Sequence, residues 1–514
     1  MNLGIRWEFD PFFRGIDSQT SAFEPSTPNG FNDAANGDLI IPTNAAGQLL
    51  DPTAQPETSQ LIPLFTDRFQ GTGPLHLPQS IRKTGPGLYV PRVGFAFRPA
   101  SDDRTVVRGA FGLFPIFLDT NMSLQWAHVP PILIQQSINN PVASPVFSNS
   151  AATGEFYWDN PFQFVGASLV APNPSPGNPC TGSSWPGGVG PALLSCQQPA
   201  ISSAPPEMDH TIMYQYSLAV QRELLKDMSL TVAYTGNKTE HNQLISIPEN
   251  VPLPGPGNVQ SRRPFPQWGT ASISTTSGSA NYNALQATLE KRLGSGVYAL
   301  VSYAWSKCMD NGSVESAPPT LILLNQNYGL CSYDITNNFT VSSLYQLPFG
   351  KGRTFLHDGN ALVNGLAGGW ELAGVLTDRT GQPFTPTLSS DVANTGISGE
   401  WPNRIASGKL SHPKAAEWFN PAAFAIPAKY TYGNAGRDIL RSDGLVDLDA
   451  TLKKMFSIGD SQDRQLEIRF ESFNLANHPT FAAPNATIGS SSAGTVTSTL
   501  NANRIFQAAA KFYF

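Results

Sequence analysis

The chain of 514 residues carries few charges, since Asp, Glu, Lys and Arg make up only 14% of it, compared with about 25% in an ordinary soluble domain. Its 30 Phe, 14 Tyr and 9 Trp residues argue against intrinsic disorder, and a net charge of −6 at pH 7 gives no basic surface for nucleic acid. No apolar run is long enough for a membrane-spanning helix. With 45 Gly and 44 Pro, the composition predicts a large protein rich in β-strands and turns.

Apolar and polar residues alternate in many segments, and this period of two predicts β-strands. The first strand begins almost at residue 1, and the last ends at Phe514. In chain order the predicted strands lie at about residues 2–9, 89–98, 105–114, 214–221, 229–234, 285–290, 297–305, 339–347, 370–379, 446–453, 466–471 and 506–514.

The two faces of these strands differ in a way that indicates a membrane. One face is apolar and aromatic, as in Leu3, Ile5 and Trp7, whereas the other carries Arg, Glu, Asp, Gln and Gly. Strands of about 8–12 residues suit the ~9–11 residues that cross a bilayer at a tilt. Backbone groups in lipid must all be paired, so strands can span a membrane only in a closed barrel.

We therefore predict an all-β fold, namely a portion of an antiparallel transmembrane β-barrel in the bacterial outer membrane. It would have about twelve strands, short periplasmic turns and long extracellular loops, because short and long connections alternate along the chain. The alternative is a soluble sandwich, propeller or jelly roll, since aromatic alternation also builds those folds. Such folds rarely place all their long loops on one side.

A set of charged residues falls on the polar face of the predicted strands. In an intact barrel they would face the lumen and either hold a plug domain through charge-assisted hydrogen bonds or line a solute path. The alternative is a hydrated wall whose opposite charges merely pair, each pair contributing roughly 0.2–1 kcal/mol. The set consists of Arg6, Glu8, Arg92, Arg98, Arg108, Glu290, Arg292, Asp447, Asp449, Lys453, Glu467, Arg469, Glu471 and Lys511.

Four cysteines form two local pairs, Cys180 with Cys196 and Cys308 with Cys331, and each pair brackets a loop-like segment. Neither pair has the close spacing of a zinc or redox motif. We expect two disulfides formed in an oxidising compartment; the alternative is four free thiols in a reducing cytosol. The seven histidines are scattered, and no metal, cofactor or nucleophile motif accompanies them. We therefore expect no enzyme activity, no cofactor and no metal.

Short stretches with a characteristic combined spacing occur along the chain. They are NLGIRWE at 2–8, PRVGFAFRP at 91–99, VVRGAFG at 106–112, YNALQ at 282–286, SYAWSK at 302–307, YQLPFGKG at 345–352, GGWELAG at 368–374, TGQPF at 380–384 and ESFNLANHP at 471–479. Together these stretches are similar to the C-terminal part of the barrel of TonB-dependent outer-membrane receptors of the Oar-like group. The similarity extends over nearly the whole chain, and the combined spacing is more specific than any single stretch.

This resemblance implies active uptake of an unidentified solute across the outer membrane. It also implies that the chain's final residues act as the signal for barrel assembly, carried by Phe506, Phe512, Tyr513 and Phe514. Residues 1–514 would be a C-terminal barrel portion without the signal peptide, regulatory-like domain and plug of full-length members. The first strand would then be the eleventh of a 22-stranded transporter.

The resemblance further implies a set of partners. These are outer-membrane lipid, the N-terminal barrel strands and plug if the chain is a fragment, and an inner-membrane energising complex reached only through that plug. A structural or adhesive barrel that displays extracellular loops, or a non-functional truncated remnant, is the alternative function.

The hairpin at residues 445–475 allows its register to be predicted. Lumen-facing residues have odd numbers on both strands, so opposing numbers must sum to an even value. A sum of 920 would place Lys453 opposite Glu467, and a sum of 918 would place Asp449 opposite Arg469. We also expect the strands at 2–9 and 503–514 to be edges that either meet in a smaller barrel or leave an open sheet.

Overall fold

In the computed structural model, the sheet follows the chain from one end to the other as an antiparallel meander. The structure describes residues 1–9, 22–24, 38–50, 69–82, 85, 87–99, 103–117, 201–203, 208–266, 269–294, 296–312, 323–458 and 464–514.

Twelve long strands in this part of the chain form the meander of a 17-stranded sheet, and each of the twelve pairs antiparallel with the next. Every predicted strand overlaps one of them, so the predicted fold class is confirmed. They are β1 Asn2–Glu8, β2 Leu88–Phe97, β3 Thr105–Ile116, β4 Thr211–Leu225, β5 Met228–Pro248, β6 Ala271–Gly294, β7 Val297–Asp310, β8 Asn337–Gln346, β9 Trp370–Arg379, β10 Leu445–Ser457, β11 Gln465–Phe473 and β12 Ile505–Tyr513.

The connections divide the molecule into two ends. The described residues of the connections at the short-turn end fall within 98–104, 226–227, 295–296, 347–369 and 458–464. The described residues of the connections at the long-loop end fall within 9–87, 117–210, 249–270, 311–336, 380–444 and 474–504.

Short helices and strands occur within these connections. Helix α1, Val259–Arg262, lies at the long-loop end, and helix α2, Ala361–Ala367, lies in the longest connection of the short-turn end. A turn of 3₁₀ helix occupies Pro421–Ala423. No helix among the described residues is both long and apolar enough to cross a membrane. The minor strands are Ala22–Glu24, Asp38–Ile41, Phe69–Gly71, Ile201–Ser203, Gly329–Leu330, Pro383–Phe384, Thr387–Leu388, Asn403–Arg404, Phe424–Ala425, Leu440–Arg441 and Thr487–Ile488.

Two strands are much longer than a bilayer requires. Strand β5 has 21 residues and β6 has 24, whereas ~9–11 tilted residues suffice. On the apolar face, the hydroxyls of Tyr216 and Tyr234 both donate to Oδ1 of Asn283 at 2.8 Å. Gly236 leaves room for this group, because a Cβ there would lie 2.7 Å from both the Tyr216 ring and Asn283. Amphipathic tyrosines of this kind are typical of the membrane interface, and the strands continue past them toward the long-loop end.

The apolar side chains of the sheet are exposed, whereas the largest buried apolar cluster lies in the long-loop end. Leu3, Ile5 and Phe470 are each at least half exposed. The buried cluster belongs instead to connections 380–444 and 474–504 and contains Leu388, Trp401, Phe419, Ala423, Phe424, Ala435, Leu440 and Ile488. This is the reverse of a soluble sandwich, in which the apolar faces of the sheets form the core.

The register predicted for the last hairpin is wrong. Opposing residues sum to 922, so Lys453 lies opposite Arg469, and Thr451 lies opposite Glu471. The like charges tolerate this position because Lys453 pairs instead with Glu371 on β9, at 2.6 Å. The even sum preserves the predicted division between the polar and apolar faces.

Backbone contacts at the end of β11 explain this register. The carboxylate of Asp449 accepts the N–H of Asn474 at 2.9 Å, and Leu475 N donates to Leu448 O at 2.7 Å. These bonds fix the chain just after β11 against β10. The register was predicted from the pattern of charged side chains alone, so the prediction took no account of these hydrogen bonds.

The sheet is open in the part of the chain that the structure describes. Within it, β1 pairs with β2 alone and β12 pairs with β11 alone. Of the two expected arrangements of the edges, these residues adopt the open one.

Candidate functional site

The polar face of the sheet, called the inward face below, carries charged residues of the predicted set. In β10 and β11, Arg469 contacts Glu467 at 2.7 Å and Glu471 at 3.3 Å. Lys511 on β12 lies opposite Glu467. Asp447 faces Thr377 of β9. At this side of the sheet Arg469 therefore pairs with two acidic neighbours, whereas Asp447 faces an uncharged residue.

At the other side of the sheet the inward charges are more widely spaced. Arg6 contacts Glu8 at 3.0 Å, and Arg292 lies 3.7 Å from Glu290. The guanidinium of Arg92 lies over the Phe114 ring, 4.4 Å from its centre.

Two further arginines of the predicted set belong to the same side of the sheet. Arg108 donates to Gln221 Oε1 at 2.9 Å. Arg98 follows β2 by one residue and is exposed. The arrangement resembles the hydrated wall more than a row of uncompensated charges.

The long-loop end contains a second set of charges, and these are buried. Arg437 forms an ion pair with Asp310 at the end of β7, and its Nη1 donates to Asp438 Oδ2 at 3.2 Å. Its Nε donates to the carbonyl of Asn327 at 3.0 Å. Burial raises the pKa of the Asp438 carboxyl, against the opposing effect of Arg437. Connection 380–444 is thereby fixed to connection 311–336.

Arg441 makes a second link between the same two connections. It forms an ion pair with the buried carboxylate of Asp334 and donates to Thr336 Oγ1 at 2.7 Å. Asp334 Oδ1 in turn accepts the N–H of Cys308 at 2.7 Å. Cys308 and Cys331 form a disulfide with a Cα–Cα distance of 5.4 Å, which is ordinary for this bond.

Contacts with a third connection extend the assembly. Asn394 Nδ2 donates to the carbonyls of Gly255 at 2.8 Å and Gly257 at 2.9 Å. Arg262 of α1 donates back to the carbonyl of Asn394. We call connections 249–270, 311–336, 380–444 and 474–504 the long-loop assembly, since contacts and the shared apolar cluster join all four.

Within this assembly, Glu400 is a carboxyl group that is only 2% exposed. Its Oε2 accepts the N–H groups of Val392 at 2.9 Å and Ala393 at 3.1 Å. Burial is the main cause that raises the pKa of Glu400 to about 7, and the neighbouring carboxyl of Asp391 adds to the effect. Glu400 therefore exchanges its proton near neutral pH.

The sequence analysis missed Asp310, Asp334, Glu400, Arg437 and Arg441. They lie in connections or at a strand end, where no periodicity singles them out, and Arg437 is separated from Asp310 by 127 residues. The signal available in the sequence was the presence of these acidic and basic residues in loops that otherwise carry few charges.

The remaining predicted residues are placed as follows. Phe506 and Phe514 are exposed on the apolar face, and the Tyr513 hydroxyl lies 3.3 Å from Glu467 Oε2 on the inward face. Phe512 stacks with Phe514 at 5.8 Å between ring centres. Cys180 and Cys196 lie outside the described residues. Among the described residues, no group of three or more His, Cys, Asp or Glu side chains is arranged to hold a metal ion.

Comparison with protein families agrees with this geometry. The family model described as "Outer membrane beta barrel domain" matches residues 1–507. The chain belongs to this family. The exposed apolar face of its sheet is therefore the lipid face, and the protein resides in the bacterial outer membrane. A search of curated proteins found no match.

Three outer-membrane proteins are among the solved structures to which the chain is similar. BauA, the ferric preacinetobactin receptor of Acinetobacter baumannii, has 10% identity and a TM-score of 0.37 over 83% of this chain and 36% of its own. The transporter YddB of Escherichia coli has 8% identity and a TM-score of 0.43 over 83% and 40%. The FrpB iron transporter of Neisseria meningitidis has 9% identity and a TM-score of 0.37 over 83% and 39%. The chain thus spans two fifths or less of each.

Proposed function

We propose that this outer-membrane barrel domain forms part of the wall and the long-loop assembly of a receptor for active solute uptake, in the manner of TonB-dependent receptors. The observation that carries the proposal is that the inward charges of β10, β11 and β12 lie on strands that connections 380–444 and 474–504 of the long-loop assembly join. A solute arriving at the long-loop end would meet the assembly first and the wall second.

The orientation follows from the family. Short turns face the periplasm and long loops face the exterior in outer-membrane barrels. The long-loop assembly would then be the outer surface, and the inward charges would line the lumen. A plug and further strands, supplied by a longer protein, would complete the barrel and connect it to an inner-membrane energising complex.

The test compares the bacterium with a strain lacking the gene. Both strains grow in a defined mixture of nutrients, and the solutes that disappear from the medium are measured. We expect at least one solute to be depleted by the parent alone, and this depletion to stop when the energising complex is deleted. Identical depletion by all strains would contradict uptake.

A structural or adhesive role is the second candidate, and the crosslinks within the long-loop assembly favour it. A disulfide and the ion pairs of Arg437 and Arg441 hold this assembly together, as a displayed surface would require. This role predicts that loss of the gene leaves solute depletion unchanged and reduces attachment of cells to surfaces.

A further inference from the structure

The connection between β8 and β9, residues 347–369, presents apolar side chains to solvent at the short-turn end. Leu362 and Leu366 of α2 are 70% and 66% exposed, and residues four apart share one face of a helix. Phe355 and Leu356 in the preceding turn are also exposed. Exposed apolar groups concentrated in one segment indicate a binding surface.

This segment is an ordered structure. The side chain of Asn360 accepts the N–H of Val363 at 2.9 Å and caps the start of α2. Gly350 has a φ of +104°, and a Cβ there would lie 2.7 Å from the Cα of Gly368, so the turn packs directly on the end of the helix. The helix is therefore held at both ends, and Leu362 and Leu366 lie on its exposed side.

The end of α2 is attached to the lipid face of the sheet and not to the inward wall. Trp370 lies opposite Lys454, and both share their face with the lipid-facing Leu372 and Leu452. The indole N–H of Trp370 donates to the carbonyl of Leu366 at 2.8 Å. Lys454 Nζ donates to the same carbonyl at 3.2 Å. The end of the helix that carries Leu366 is therefore bonded to residues of the surface that contacts lipid.

Cations accompany this apolar surface. Lys351 and Arg353 are exposed in the turn before α2, while a carboxylate oxygen of Asp358 lies 2.7 Å from Nε2 of His357. Apolar residues that enter the acyl region beneath cations at the headgroup level are typical of interfacial helices. The negatively charged phosphate groups of phospholipids would attract these cations. A protein partner with a purely apolar surface would offer them no negative charge.

We propose that residues 347–369 form an interfacial anchor, in which Leu362 and Leu366 insert among phospholipids of the leaflet at the short-turn end. Lys351 and Arg353 contact the phosphate groups of these lipids. The proposal rests on the placement of the sheet in the outer membrane and goes beyond the proposed uptake function.

Photo-crosslinking tests the anchor. Benzoylphenylalanine replaces Leu362 or Leu366 in the protein assembled in outer membranes, and lipid adducts are measured by mass spectrometry after irradiation. Leu253 and Leu500 are the matched controls, since they are 68% and 70% exposed in the long-loop assembly. We expect several-fold more phospholipid adduct at 362 and 366 than at the controls.

Position 470, on the lipid face of β11, separates failure of the anchor from failure of the membrane placement. Adducts at 470 without an excess at 362 and 366, or a protein adduct at these two positions, would overturn the anchor. Absence of adducts at 470 as well would contradict the membrane placement, and with it the anchor.

Two double variants test whether the cations contribute to the contact with lipid. Lys351→Glu combined with Arg353→Glu should reduce the adduct at 362 several-fold. Lys409→Glu combined with Lys429→Glu, at exposed positions of connection 380–444, should leave it unchanged. Equal yields from both double variants would overturn the phosphate contact.

Discussion

Buried ionic side chains at the long-loop end differ in their energetics from the charges of the inward wall. Wall pairs are partly hydrated, and each contributes roughly 0.2–1 kcal/mol. Arg437 is instead buried together with Asp310 and Asp438. Removing one partner of such a group leaves an uncompensated charge and costs about 3–5 kcal/mol.

Replacement of Arg437 by Ala should therefore weaken the long-loop assembly selectively. We expect the free energy of local opening, measured by hydrogen exchange across residues 383–441, to fall by about 3–5 kcal/mol, while exchange in β8 and β9 is unchanged. Arg404→Ala is the control, because Arg404 is exposed in the same connection. Equal effects of the two substitutions would contradict the role given to Arg437.

Glu400 makes the long-loop assembly sensitive to pH. Its pKa in the folded protein is about 7, above that of an unfolded glutamate at about 4.3. Its contribution to stability is therefore complete below the unfolded pKa and is lost as pH rises through about 7. Asp391 and Tyr432 face the same carboxyl, and burial raises the pKa of Tyr432 also.

Hydrogen exchange of residues 391–400, corrected for intrinsic rates, should thus indicate easier opening as pH rises through the Glu400 pKa. Glu400→Gln should remove this dependence, because the amide mimics the protonated acid. Glu417→Gln, an exposed position in the same connection, should retain it. A pH dependence that persists in Glu400→Gln would show that another group titrates.

At the scale of the strand, alternation was sufficient to predict position and face but not register. In β10, Leu448 and Leu452 alternate with Asp447 and Asp449, and this pattern survives any even shift of the partner strand. Charge complementarity was then used to choose a register, and it failed because Lys453 pairs with β9. Cross-strand charge pairs that each contribute less than about 1 kcal/mol do not determine the register when several backbone hydrogen bonds favour another one.

Disulfide trapping tests the observed register. Leu452 lies directly opposite Phe470, so Leu452→Cys with Phe470→Cys should form a crosslink readily under mild oxidation. Leu452→Cys with Ile468→Cys, which would be opposed if the sum were 920, should crosslink slowly. Gel mobility without reduction measures both yields, and faster crosslinking of the second pair would contradict the register.

At the scale of the whole molecule, the sequence predicted the twelve strands and the lipid face because both depend on local periodicity. The long-loop assembly could not be predicted in the same way. Its contacts join residues far apart in the chain, such as Arg441 with Asp334, 107 residues away, and its apolar cluster is built from irregular segments. Helix α2 was also missed, since seven residues are too few for a clear helical period.

The central claim is that the apolar face of the sheet contacts lipid while the charged face contacts water. A spin label attached to a ketone-bearing residue, so that the native cysteines are untouched, can be placed in turn at positions 466–471 of β11 in membranes. We predict high oxygen and low nickel-chelate accessibility at 466, 468 and 470, and the opposite at 467, 469 and 471. Accessibility that does not alternate, or that alternates in the opposite phase, would contradict the claim.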